Sequence, residues 1–380
     1  MLSLALAANG VKALVPGGVA AASSVPYYVG TMGWFAVSRI LPERWYSLVD
    51  DVMYSGYQRV MLFVLETISG VTLNLYGDFD DDRVRKSEEC VLYISNHQCT
   101  MDWAIVDMLA IRQGSLGRLR YVLKHALQYM PLYGWYFYMH GCVYVRRSGK
   151  FQKDTSDRQF EYVAHLEQPS WLVIFPEGTR YSPKKKKIIE DSRRYAKELG
   201  FKPLDYVLFP RSRGFELALS HLRHRLDAVY DVTIAYGQVP DHKNGRVTQG
   251  PSMFEFVSCE PGTKLHVHLK RIPIKDVPSD SALLRAWLYE RFRVKDELLK
   301  QYYTKRLSEK SGQDGDDAFP DLRIRDSCLP WSSTVPSVLL ICGAGLLPFL
   351  LTKAGHKAYL GIFLFGTVFS MAWMKFKKAA

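Results

Sequence analysis

Val91-Leu92-Tyr93-Ile94-Ser95-Asn96-His97-Gln98-Cys99-Thr100-Met101-Asp102 passes from a short, β-rich apolar block into the helical pattern that begins at Trp103. The block Val91 to Ser95 reads as a buried strand, and Asp102 to Arg112 reads as a helix. The alternation continues along the chain. Further candidate strands are Gly141 to Val145, Trp171 to Phe175, Tyr230 to Tyr236 and Leu265 to Ile272, with helical stretches at Gln159 to Glu167 and Ala282 to Tyr303. Short strands separated by helices predict an α/β domain with a largely parallel sheet flanked by helices. In such sheets ligands sit outside the carboxyl ends of the strands. A histidine directly behind a strand is therefore in the right place for chemistry.

On an unbroken helix the spacing of His97 and Asp102 would set them on different faces. They meet only if His97 lies in the turn and Asp102 in the first helical turn, with Thr100 as the N-cap. So arranged, the pair suits general-base catalysis: an imidazole takes a proton from an alcohol, and a carboxylate on its other nitrogen fixes the tautomer. The chain has no Gly-x-Ser-x-Gly elbow, so a serine hydrolase lacks its nucleophile and the reacting hydroxyl belongs to the substrate. Cys99 offers a thiol for a rival, thioesterase-like scheme, yet a lone cysteine is more often a small apolar filler. A second constellation, Phe175-Pro176-Glu177-Gly178-Thr179-Arg180, follows another strand. Glycine permits close backbone approach, and threonine, backbone N–H and arginine all donate to phosphate oxygens. Taken alone, this stretch reads as an ordinary turn with a surface pair between Glu177 and Arg180.

Taken together, His-x4-Asp followed by Glu-Gly-Thr-Arg, each behind a strand, resembles the signature of the glycerolipid acyltransferase family. Further blocks match it: Lys124-x2-Leu127-x3-Pro131-x2-Gly134, then Gly141 to Arg147, and Val207-Leu208-Phe209-Pro210-Arg211. The resemblance covers Tyr76 to Leu269 and continues more weakly through Trp287 to Phe292 and the C-terminal apolar region. It implies that His97 is the general base and Asp102 its orienting partner. It further implies substrate-binding roles for Lys124, Arg147, Glu177, Gly178, Thr179, Arg180 and Arg211, with Lys124 and Arg180 on the acceptor phosphate. The reaction it implies is direct transfer from acyl-CoA to lysophosphatidic acid, or to another lysophospholipid such as lysocardiolipin, at a lipid bilayer and with no further cofactor. The alternative class is a membrane protein that binds lipid without turnover, which would tolerate replacement of His97 and Asp102.

At 380 residues and 48% apolar composition, the chain can bury a full core and still carry membrane-associated ends. A net charge of +12 calls for an anionic partner. The basic residues are dispersed, without finger spacing or a basic region feeding heptads, which disfavours nucleic acid and favours a membrane face or a phosphorylated substrate. Six scattered cysteines without a Cys-x-x-Cys pair predict reduced thiols and no metal site. Asp78, Asp80, Asp81 and Asp82 lack the spacing of a calcium loop, and His266 with His268 lacks a third ligand. Lys184 to Lys187 read as a solvated loop.

The ends of the chain are apolar. Val335 to Leu351 and Ala358 to Met374, separated by Thr352 to Lys357 and edged by lysines, predict a C-terminal transmembrane helical hairpin. Lys377 and Lys378 fit a dilysine address to the endoplasmic reticulum membrane, with the catalytic face cytosolic. Mitochondrial and nuclear-envelope membranes are further options. Tyr27 to Ile40 and Val60 to Leu75 read as N-terminal membrane-associated helices in one leaflet, with core helices as the alternative. The start of the chain lacks a positive n-region and is read as retained. The layout expected is N-terminal membrane helices over 1–75, the acyltransferase domain over 76–275, a helical extension and linker over 276–330, and the hairpin with a cytosolic tail over 331–380.

Overall fold

The computed structural model describes residues 2–86, 88–145, 153–237, 250–258, 263–308, 319 and 325–379. The chain begins with α1 (Leu2–Ser38), α2 (Glu43–Leu62), β1 (Thr72–Gly77), α3 (Asp82–Lys86), β2 (Val91–Ser95), α4 (Asp102–Arg112) and β3 (Leu119–Lys124). Next come α5 (Tyr133–Met139), β4 (Val143–Val145), α6 (Lys153–Ala164), β5 (Trp171–Ile174), α7 (Lys186–Glu198), α8 (Ser212–Leu222) and β6 (Ala228–Tyr236). The remainder is α9 (Met253–Ser258), β7 (Lys264–Pro273), α10 (Ser281–Ser308), β8 (Arg325–Ser327), α11 (Val335–Val338), α12 (Leu347–Leu350) and α13 (Lys353–Ala379). These form two compact units, one from residues 1–68, 114–170 and 329–380, the other from 69–113 and 171–328.

In the second unit the strands lie in the order β5-β2-β6-β7-β1-β8. β2 runs parallel to β5 and to β6, and β1 runs parallel to β7; β6 with β7 and β1 with β8 are antiparallel. The sheet is thus mostly parallel, as expected. Every residue of β2, β5 and β6 is buried, which explains why these strands read as continuous apolar runs instead of alternating ones. Ile94 is level with Ile174, and Ser95 with Val232. The turns after these three neighbouring strands therefore open at one edge of the sheet.

The apolar stretch Val60 to Leu75 does not form the expected membrane-associated helix. α2 ends at Leu62, a single π turn covers Phe63–Ile68, and Gly70 at φ +66° turns the chain into β1. Gly70 takes a left-handed conformation that other residues adopt only at a cost. Beyond it Thr72 pairs with Lys264 and Tyr76 with His268, so the strand is defined by a partner far away in sequence. β3, β8, α7 and α8 also have no counterpart in the sequence reading.

In the first unit, α1 is 37 residues long and carries Pro16 and Pro26. Aromatic rings bind it to its neighbours: Tyr27 stacks on Tyr57 of α2 at 4.2 Å between centroids, and the Tyr28 hydroxyl meets Ser370 Oγ of α13 at 2.8 Å. A buried charge network joins α2 to β3 and α5. Arg120 donates to Asp51 Oδ1 (2.7 Å) and to His140 Nε2 (2.7 Å), and His140 Nδ1 donates to Asp50 Oδ2 (2.6 Å). Burial and the adjacent guanidinium lower the His140 pKa, consistent with a neutral ring. Asp50, Asp51 and His140 bring ligand atoms within 4.8 Å of one another, and the positive charge among them is Arg120.

Among the described residues, one helix is long and apolar enough to cross a membrane: Lys353–Met374, 22 residues with mean hydropathy 1.3. The run Val335–Leu350 is shorter. At about 1.5 Å per residue it reaches about 24 Å, less than the ~30 Å of a hydrocarbon core. Of the two limbs expected of the hairpin, one helix is thus long enough to span and the other is a shorter apolar run.

Candidate active site

Behind β2 the chain makes a tight turn and enters α4 at Asp102. The His97 Nδ1 and Asp102 Oδ2 atoms are 2.6 Å apart, which is the pairing that a histidine in the turn and an aspartate in the first helical turn require. Asp102 is 1% exposed and His97 20%. The carboxylate also accepts the N–H groups of Gln98 (2.9 Å) and Cys99 (3.2 Å) and the hydroxyl of Tyr236, which ends β6. With Nδ1 donating to Asp102, Nε2 is left as the basic nitrogen of His97. Asp102 lies in the first helical turn, where the positive end of the helix favours its charge. Thr100 is not the N-cap; that position is Met101, and the Thr100 hydroxyl instead accepts from Arg180.

β5 delivers the second motif to the same edge. Three residues past the level pair Ile94 and Ile174, the His97 N–H donates to Glu177 Oε1 at 2.7 Å. The other oxygen, Oε2, accepts the Leu208 N–H at 2.9 Å. Glu177 is thus buried with both oxygens on backbone N–H groups, and burial holds its carboxyl well above the usual carboxylate range. It pairs the two loops and does not form the surface pair with Arg180 that the isolated motif suggested. Gly178 at φ +66° makes the turn that brings Thr179 and Arg180 back toward Thr100. A side chain at Gly178 would lie 3.6 Å from Arg211 Cδ, so Arg211 sits against this turn, held by its N–H on the Pro176 carbonyl (2.9 Å).

His97, Asp102, Glu177, Gly178, Thr179, Arg180 and Arg211 therefore come together at one edge of the second unit. Lys124 is exposed at the end of β3 in the first unit, and Arg147 lies outside the described residues. Cys99 is buried, its thiol donating to the Pro251 carbonyl (3.0 Å), and burial pushes its pKa up to about 12. A thiol so held is not a nucleophile.

The acyltransferase family model matches residues 78–237, and the acyltransferase C-terminus model matches 255–314. Over 99% of its length the chain is 38% identical to mouse 1-acyl-sn-glycerol-3-phosphate acyltransferase epsilon, covering 100% of that protein. The chain belongs to the glycerolipid acyltransferase family. This acyltransferase is also 35% identical to the probable 1-acyl-sn-glycerol-3-phosphate acyltransferase 5 of Arabidopsis thaliana, over 70% of the chain and 67% of the relative. Lysocardiolipin acyltransferase 1 of Gallus gallus matches at 27% over 72% of the chain and 68% of the relative. The candidate site of this acyltransferase also draws on residues that sequence reasoning passed over. Tyr236 touches Asp102 from 134 positions away, and Gln98 donates to the Tyr206 carbonyl (3.1 Å) while accepting from Tyr303 (3.3 Å). No local pattern marks such partners.

Proposed function

We propose that the chain transfers the acyl group of acyl-CoA to the free hydroxyl of 1-acyl-glycerol-3-phosphate, giving phosphatidic acid and CoA. The observation that carries this is the His97–Asp102 pair opening beside Arg180 and Arg211 at the carboxyl edge of a mostly parallel sheet. His97 Nε2 takes the proton of the glycerol hydroxyl as its oxygen attacks the thioester carbonyl. The tetrahedral intermediate collapses, the carbon–sulfur bond breaks, and the imidazolium returns its proton to the departing CoA thiolate. Asp102 keeps the ring in the Nε2-basic tautomer and stabilises its charged form. Arg180 and Arg211 hold the acceptor phosphate, which keeps the hydroxyl close to the thioester carbon. No covalent acyl-enzyme and no further cofactor are involved.

In this reading α13 spans the bilayer and Val335–Leu350 enters it from the same side, with the catalytic face toward the cytosol, where CoA is dissolved, at the endoplasmic reticulum membrane. The match to lysocardiolipin acyltransferase supports a second acceptor, another lysophospholipid bound through the same phosphate contacts. Membranes carrying the full chain, offered labelled oleoyl-CoA and a panel of lysophospholipids, test both. Labelled phosphatidic acid supports the first acceptor, a different labelled phospholipid moves the acceptor alone, and binding without any product supports the non-catalytic alternative.

A further inference from the structure

Between α7 and α8 the chain crosses an irregular segment, 205–211, whose backbone donors at 205–209 are taken up by side chains. Asp296 of α10 accepts three successive N–H groups: Oδ1 from Asp205 (3.0 Å), Tyr206 (2.6 Å) and Val207 (3.2 Å), and Oδ2 from Asp205 (3.2 Å). The next donor, Leu208 N–H, goes to Glu177, and Phe209 N–H goes to Ser192 Oγ at 2.8 Å. The segment ends on Arg211, lying against the Gly178 turn. Lys295, the neighbour of Asp296, is buried under the sheet, where it donates to the Val232 carbonyl (2.6 Å) and pairs with Asp231. α10 is thus fixed to β6 by one side chain and holds segment 205–207 with the next.

We propose that Asp296 is a positioning residue for acceptor recognition: by fixing 205–207 it sets the place of Arg211. The inference rests on the proposed role of Arg211 at the acceptor phosphate. A carboxylate gripping three consecutive donors removes the freedom of a segment that has no ladder of its own, and a small displacement of a phosphate ligand is costly in binding. The segment also reaches the His97 loop, through the Tyr206 carbonyl on Gln98 and Leu208 N–H on Glu177, but the His97 ring itself is held by Asp102, so loosening the segment affects acceptor affinity more than turnover. Asp280, which accepts the Ala282 and Leu283 N–H groups at the start of α10, supports the same helix without touching the segment.

The test is steady-state kinetics on the full chain in membranes for Asp296→Ala, Asp296→Asn, Arg211→Ala, the double variant and Asp280→Ala. Asp296→Ala is expected to raise KM for the lysophospholipid about tenfold, with a smaller change in kcat and in KM for acyl-CoA. Asp296→Asn keeps the oxygen that makes three of the four contacts and is expected to give an intermediate rise; it decides the matter if the alanine variant fails to fold. In the Arg211→Ala background, Asp296→Ala is expected to add little, because both act through one guanidinium. Additive effects, a loss confined to kcat, or the same KM rise in Asp280→Ala would overturn the proposal. If Arg211→Ala raises KM and Asp296→Ala and Asp296→Asn do not, the positioning role alone fails. If Arg211→Ala leaves KM unchanged, the phosphate reading fails and takes this inference with it.

Discussion

Asp102 accepts hydrogen bonds from an imidazole, two backbone amides and a tyrosine, and it donates none. Asparagine in its place must turn an NH2 group toward at least one of these donors. Asp102→Asn is therefore expected to lower kcat by about 10²-fold or more without loss of lipid binding, measured by acyl transfer and vesicle sedimentation. Glu177→Gln poses the same problem between His97 N–H and Leu208 N–H, and a drop of at least about tenfold in kcat/KM is expected. Cys99→Ala should keep its activity, because the thiol is buried, donates to a carbonyl and stays protonated with a pKa near 12. Loss of turnover in Cys99→Ala with normal folding would revive the thiol scheme. His97 and Asp102 were legible in the sequence because the turn between strand and helix is local. The buried role of Glu177 was not, since its second partner is 31 residues away.

Elements with local signals were read well, and those defined by distant partners were not. Val91–Ser95 and Asp102–Arg112 stand where their apolar patterns put them, whereas β1 was hidden in an apolar run continuous with α2 and is specified by pairing with β7. β6 contributes both a central strand and, through Tyr236 at its end, a contact to Asp102. Tyr236→Phe removes one of the donors on that carboxylate and leaves the others. It is expected to cost about 1–3 kcal/mol in transition-state stabilisation or folding, read as a rate loss of roughly tenfold or a lower unfolding midpoint. In the first unit, α2, β3 and α5 depend on Arg120, which is 1% exposed between Asp51 and His140. Arg120→Met strands Asp51, and a loss of about 3–5 kcal/mol in stability is expected from thermal unfolding in detergent.

For the whole molecule, the proposed function makes substrate access depend on membrane attachment. α13 buries only 11% of its apolar window and exposes Leu364 (61%), Phe365 (75%) and Val368 (66%). The full chain is expected to remain in the pellet when membranes are washed with alkaline carbonate. Leu364→Arg with Val368→Arg, each costing about 2.5–3.5 kcal/mol near mid-bilayer, should shift it toward the supernatant. An unchanged distribution would place the anchor elsewhere. The full chain in membranes is also where the central claim is best tested, by measuring labelled phosphatidic acid formed from oleoyl-CoA and lysophosphatidic acid by the native protein and by His97→Ala. The account predicts product from the first and a loss of about 10²- to 10⁴-fold in the second, with both proteins folded and membrane-bound. Equal rates from the two would contradict it, because the proton of the acceptor hydroxyl would then be taken by some other group.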